Sequence, residues 1–319
     1  MQKLADDSVR QKISSCDNAA IDISSKKSQQ SSGAPYSLGR MPRVAATGFS
    51  FVVFGLGTLL IQFFVLPWIY LMPRSTQDRD YRTARIRRAR HLIYLSARAY
   101  VQLLRILATC DLRYEGIKHE SNESLIIANH PTLLDAIFMM AVLPQVTFVV
   151  KAPLARNIFT FLLVHAADYL VNDSEETLID DAAKRLTAGE SIVIFPEATR
   201  SSDPYRPKFK RGAAHIALAA KVPVTVFCVG CYPATLQRGQ SWYDVPDKRS
   251  LVVLECVEQL QLKHWQSALA TSKADSEEID NMKPGIAARK LTRFLNERQL
   301  KAIQQQIHSF DISRDKLYR

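Results

Sequence analysis

The chain has 319 residues and a formal net charge of +11, a size that suits one large domain or two small ones. Such a basic balance calls for an anionic partner; no nucleic-acid-binding module is apparent, so no nucleic-acid partner is expected, and the placement of the arginines favours membrane lipids. Five cysteines are an odd number without scaffold spacing, which argues against a disulfide framework.

Residues 1–43 are rich in Ser, Gln, Lys and Asp and are expected to form a disordered tail without the apolar core of a secretory signal. Residues 44–72 are almost wholly apolar, long enough to cross a bilayer. Gly55, Gly57 and Pro67 also permit a re-entrant pair of half-helices, and Trp68 and Tyr70 suit an interfacial belt. Residues 73–110 are expected as a basic amphipathic interfacial helix. Arg74, Arg79, Arg82, Arg85, Arg87, Arg88 and Arg90 outnumber Asp78 and Asp80, and on the other side of the apolar run stand only Arg40 and Arg43. That bias predicts a protein of the cell membrane with its following domain on the cytoplasmic face, its arginines holding headgroup phosphates. Ile86, Ala89, Ile93, Ala97, Tyr100, Leu104 and Leu107 form the helix's apolar stripe.

Residues 111–310 read as an α/β domain. Strand-like runs fall at 125–128, 146–150, 169–171, 192–195, 222–229 and 251–257, with helical stretches at 132–142, 153–165 and 175–188 between them. Such alternation predicts a mainly parallel sheet flanked by helices, here preceded by an N-terminal membrane-associated helical segment. Residues 259–281 are polar and mixed, a linker or surface excursion, and 286–307 form a closing amphipathic helix. Cys228 and Cys231 have C-x-x-C spacing but no second pair for zinc, and read as small core residues; no metal site is expected.

Chemistry concentrates in two stretches. Leu125 to Ala128 is a buried-type strand that ends abruptly in Asn129 and His130, where open α/β sheets place their sites. Pro131 suits the first position of a following helix. Five residues at about 100° each lie off one helical face, so His130 and Asp135 meet only if the histidine sits on the turn before the helix. The carboxylate then reaches back to the imidazole, giving a base with an orienting acid. A second buried-type strand, Ile192 to Phe195, ends in Glu197, Thr199 and Arg200 and reaches the same sheet edge.

Together Asn129-His130…Asp135 and Phe195-Pro-Glu-Ala-Thr-Arg-Ser201 resemble the N-H-x-x-x-x-D and F-P-E-G-T-R-S motifs of the 1-acylglycerol-3-phosphate acyltransferases, a family of glycerolipid acyltransferases. The resemblance spans roughly residues 90 to 260. It implies that His130 is the general base and Asp135 orients it. The co-substrate is acyl-CoA or acyl carrier protein and the acceptor a lyso-lipid, with no further cofactor and no metal, since thiolate leaves readily. Arg200 matches the arginine that binds the acceptor's phosphate. Asn129, Glu197 and Thr199 join it as substrate-binding residues, with Lys151, Lys210 and Arg211 as further phosphate contacts. The absence of G-x-S-x-G disfavours a nucleophilic hydrolase.

Two departures stand out. The family's glycine is Ala198 here, so a positive φ is not expected at that position. The second family block usually ends in an arginine, whereas residues 168–173 contain none. Acyl transfer to 1-acylglycerol-3-phosphate therefore stands beside two alternatives: a non-glycerophosphate acceptor such as a lyso-ornithine or specialised lipid, and a catalytically idle membrane-binding protein.

Overall fold

The computed structural model describes residues 40–73, 80–116, 123–263 and 283–317. Most of the expected tail, Arg74, Asp78, Arg79, Cys16 and most of the 259–281 excursion lie outside them.

A continuous helix, α1 (Met41–Leu71), replaces the two half-helices considered above; a π-helical turn at Ile61–Val65 precedes Pro67, whose missing N–H suits that irregularity. It is the one helix among the described residues long and apolar enough to cross a membrane, with mean hydropathy 2.2. Its pattern is inside-out. Thr47, Ser50, Thr58 and Gln62 face the protein, while Phe49, Val52, Leu56, Phe63, Phe64 and Trp68 are exposed. The hydroxyls bond back to carbonyls of their own helix, as Ser50 does to Thr47. Gln62 reaches further, donating to the Ile158 carbonyl and accepting from Leu162 N–H.

Helix α2 (Tyr81–Ile106) starts where the Asp80 carboxylate accepts from Thr83 N–H at 2.7 Å. Its stripe of Ile93, Ala97, Tyr100 and Leu104 is buried in the main core. The apolar face of this amphipathic helix thus packs on the domain. Not all its arginines face headgroups: Arg90 is buried, donating from Nε to the Ala167 carbonyl and pairing with Glu190 at 2.9 Å. Arg85 lies over the Tyr70 ring, and Arg88 donates to the carbonyls of Met72 and Pro73.

The sheet has seven strands: β1 (Cys110–Gly116), β2 (Leu125–Ala128), β3 (Thr147–Lys151), β4 (Leu170–Asn172), β5 (Ile192–Ile194), β6 (Val224–Tyr232) and β7 (Ser250–Leu260). Their order is β1-β7-β6-β2-β5-β3-β4, every pair parallel except β6–β7. Strand β1 escaped the sequence reading because Asp111, Arg113 and Glu115 break any apolar run, as befits a charged edge strand. The helices are α3 (Asp135–Val142), α4 (Ala152–Arg156), α5 (Phe161–Ala166), α6 (Glu175–Thr187), α7 (Gly212–Ala220) and α8 (Pro284–Leu317). The single helix expected over 153–165 is two, interrupted at Asn157, whose side chain accepts from Phe159 N–H. Helix α7 is nearly all small residues and offers no large-residue periodicity to read.

Alternation along β2 sorts the core. Ile126 and Ala128 join the layer with α2 and α3; Leu125 and Ile127 join the layer with α6, α7 and α8. Both layers are predominantly apolar, which is why the central strands read as unbroken runs. Cys228 and Cys231 are buried and lie in different clusters, on opposite faces of β6.

Candidate active site

Strands β2, β5, β3 and β4 are mutually parallel, so their carboxyl ends finish on one edge. That edge gathers Asn129–His130, the 195–201 turn, Lys151 and Asn172. His130 stands on the turn after β2, and Asp135 is the first residue of α3. Pro131 is therefore not the helix's first residue; the chain turns for three residues more. His130 Nδ1 lies 2.8 Å from Asp135 Oδ2. Asp135 is fully buried and accepts from the backbone N–H and the hydroxyl of Thr132, so its lone pairs are occupied by donors. With Nδ1–H donating to Asp135, Nε2 is left as the proton acceptor. The Phe195 ring stacks on the imidazole, centroids 4.5 Å apart, and fixes its plane.

The second motif grips the histidine's backbone. Glu197 accepts from His130 N–H at 2.9 Å, and Ser201 N–H donates to the His130 carbonyl at 2.8 Å. The Ser201 hydroxyl completes the clamp by donating to Glu197. Burial pushes the Glu197 carboxyl above its ordinary range, against the opposing pull of the His130 N–H and Ser201 hydrogen bonds. Ala198 does adopt a positive φ, 58°, contrary to expectation. The turn that presents Glu197 demands it, and the methyl group costs about 1–2 kcal/mol there.

The predicted binding residues separate sharply. Asn129 is fully buried and pairs in both directions with the backbone of Val229, donating to its carbonyl and accepting from its N–H. This corrects its assignment to the substrate. Arg200 is half-buried, with one terminal nitrogen donating to the carbonyls of Leu236 and Gln237 at 3.1 and 3.0 Å. Thr199, Lys151, Lys210 and Arg211 are exposed. Lys210 is tied to the motif only through its backbone, donating to Pro196, and Arg211 immediately precedes α7. Sequence reasoning missed Thr132, Phe195, Ser201 and Gln299, whose amide donates to Asn129 Oδ1 at 3.0 Å. The T-x-x-D spacing of Thr132 and Asp135, resembling a capping box, was the readable signal for the first. A small cleft of about 30 Å³ opens beside Thr132, lined by Ser50 and Phe51 of α1 with Leu134, Phe138 and Leu236 of the core.

Residues 111–230 match the family model described as Acyltransferase. A 1-acyl-sn-glycerol-3-phosphate acyltransferase from Cocos nucifera is 28% identical over 189 residues, 57% of this chain and 56% of that protein. The alpha form from Homo sapiens is 29% identical over 143 residues, 41% of this chain and 50% of that protein. The chain thus spans about half the length of the curated relatives it matches. The crystal structure of the 1-acyl-sn-glycerophosphate (LPA) acyltransferase PlsC from Thermotoga maritima superposes with a TM-score of 0.60 at 18% identity, covering 84% of this chain and 98% of that one, a likeness of fold. Taken with the two motifs on their shared sheet edge, these matches show that residues 111–230 are similar to an acyltransferase domain, the likeness being to 1-acyl-sn-glycerol-3-phosphate acyltransferases.

Proposed function

We propose that this protein transfers a fatty acyl group from acyl-CoA or acyl carrier protein to the hydroxyl of a lyso-lipid, with 1-acylglycerol-3-phosphate as the acceptor. The observation that carries this reading is the hydrogen-bonded His130–Asp135 pair, held at the sheet edge that also bears Arg200. His130 Nε2 removes the acceptor's proton as its oxygen attacks the thioester carbonyl. Asp135 holds the tautomer and stabilises the imidazolium. The C–S bond breaks, the thiolate leaves and takes the proton back, and an ester remains. Arg200, one nitrogen pinned by the 236–237 carbonyls, offers the rest of its fork to the acceptor's anionic group.

The inside-out pattern of α1 supports a lipid-facing role for its exposed stripe. Gly48 approaches Trp242, Phe54 packs on Tyr100 at 5.3 Å, Gln62 binds the 158–162 segment, and Leu66 and Ile69 pack on Ala89 and Ala166. A helix that touches the folded domain along so much of its length would carry polar surface into the hydrocarbon if it spanned the bilayer. It fits better lying within one leaflet, where exposed Leu154, Ile158 and Phe159 join it. Both ends of α1 then stay on one side, as in the re-entrant alternative rather than the straight span.

The test is an acyl-transfer assay of the purified protein in detergent, with acyl-CoA and acyl carrier protein as donors. Lysophosphatidic acid, a lysophosphatidylcholine and a lyso-ornithine lipid serve as acceptors. Transfer to lysophosphatidic acid supports the proposal; transfer only to the lyso-ornithine lipid replaces the acceptor, and no transfer to any refutes the activity.

A further inference from the structure

The residue behind the histidine is gripped from the far side of the sheet. Main-chain pairing between β2 and β6 ends at Ala128–Phe227, and the Asn129 amide supplies the next rung by bonding both ways to Val229. An amide used in this fashion holds its register only in one orientation, because exchanging oxygen and nitrogen would set donor against donor. Gln299 of α8, fully buried, donates from Nε2 to Asn129 Oδ1 at 3.0 Å and thereby selects that orientation. The other end of the Gln299 amide, Oε1, is buried without a hydrogen-bond partner. An unpaired buried acceptor is costly, so leucine would carry less desolvation at this site. By alternation Asn129 faces the layer that contains α8, and His130, one residue on, faces α3 and Asp135.

We infer that Gln299 is a positioning residue for His130, acting through Asn129, so that the carboxyl-terminal helix sets the precision of the dyad. This rests on the reading of His130 and Asp135 given above. Helix α8 is independently fastened to the sheet. Leu291 and Leu295 pack in the core, and Gln306 donates to Glu255 at 3.2 Å while accepting from the Cys228 thiol. Loss of the Gln299 bond therefore leaves the helix docked and loosens only the Asn129 amide, which keeps its two bonds to Val229.

The test compares Gln299→Leu with Gln306→Leu, which removes a buried amide from the same helix without touching Asn129. Gln299→Leu is expected to lower kcat about 10-fold with the KM of both substrates nearly unchanged, since small misplacement of a reacting group is enough for such a loss. Gln306→Leu is expected to keep kcat within about twofold even where its melting temperature falls. In the double variant Asn129→Ala/Gln299→Leu, kcat is expected to equal that of Asn129→Ala alone, because residues acting as a unit are non-additive. Equal kcat losses in Gln299→Leu and Gln306→Leu would overturn the inference, as would independent, multiplying losses in the double variant. A wild-type kcat in Gln299→Leu while His130→Ala is inactive would also refute it and leave the dyad intact. An active His130→Ala would instead strike at the dyad itself. Should Gln299→Leu fail to fold, Gln299→Met, closer in shape and equally without a donor, carries the same comparison.

Discussion

The two halves of the functional sheet edge are built differently. At β2 and β5 nearly every polar group is committed: His130 is bonded through its ring and both backbone groups, Asp135 is buried among donors, and Glu197 closes the clamp with Ser201. At β3 and β4 the side chains stand open. Lys151 pairs in register with Asn172, and Arg156 meets Asp173 only loosely, at 3.8 Å with both side chains largely exposed. The two strands carrying His130 and Lys151 are separated by β5, about 10 Å apart at ordinary strand spacing. Reaction chemistry needs a geometry settled before substrate arrives, which the bonded half supplies. In the proposed reaction, recognition of an anionic headgroup would tolerate solvated, adaptable side chains such as those of the open half.

Mutation can break this contrast at its strongest point first. His130→Ala is expected to lower turnover by about 10²–10⁴ with the fold retained, since a positioned base is worth that much; near-wild-type turnover, measured on protein whose circular dichroism is unchanged, would remove the chemistry from this half. Asp135→Asn should lose about 100-fold or more, because an amide in a pocket of donors favours the wrong imidazole tautomer. For the two residues proposed to meet the acceptor's anionic group, one on each half, the signature changes. Arg200→Ala should raise the acceptor's KM about 10-fold and Lys151→Ala about 3-fold, with kcat little altered, as expected for lost uniform binding. A kcat loss at Lys151 as large as that at His130 would erase the distinction between halves.

The smallest effect concerns stability. Because burial raises the Glu197 carboxyl, its ionised form is disfavoured in the folded state. Its contribution to stability is fully present below the unfolded carboxyl range and is lost as pH rises through the folded value. Glu197→Gln keeps an acceptor for His130 N–H and sheds that penalty. Its melting temperature relative to wild type should therefore climb from acid to neutral pH, by a few degrees at most. A flat difference would mean that the two hydrogen bonds outweigh burial.

Much of this arrangement was legible in the chain because buried parallel strands leave an unmistakable trace. Leu125–Ala128 and Ile192–Ile194 are short apolar runs cut off by polar residues, and that abrupt change marked the sheet edge where the site lies. The His130–Asp135 spacing carried its own geometric constraint. What remained hidden involved residues whose partners are remote in sequence: Gln299 is 170 residues from Asn129, and Glu197 is 67 from His130. No local periodicity encodes such pairs.

The two N-terminal helices mark the boundary between these levels. Composition alone determined that residues 44–72 form an apolar helix-length segment and that arginines follow it. Tertiary structure alone decided which way each face points. In α1 the few polar residues turn inward to meet carbonyls and N–H groups of the protein, while the large apolar residues stay outside. In α2 the apolar stripe turns inward, and buried Arg90 is paired with Glu190. A side chain's hydropathy measures its preference for a surrounding, and only the packed neighbours determine whether that surrounding is core, lipid or water.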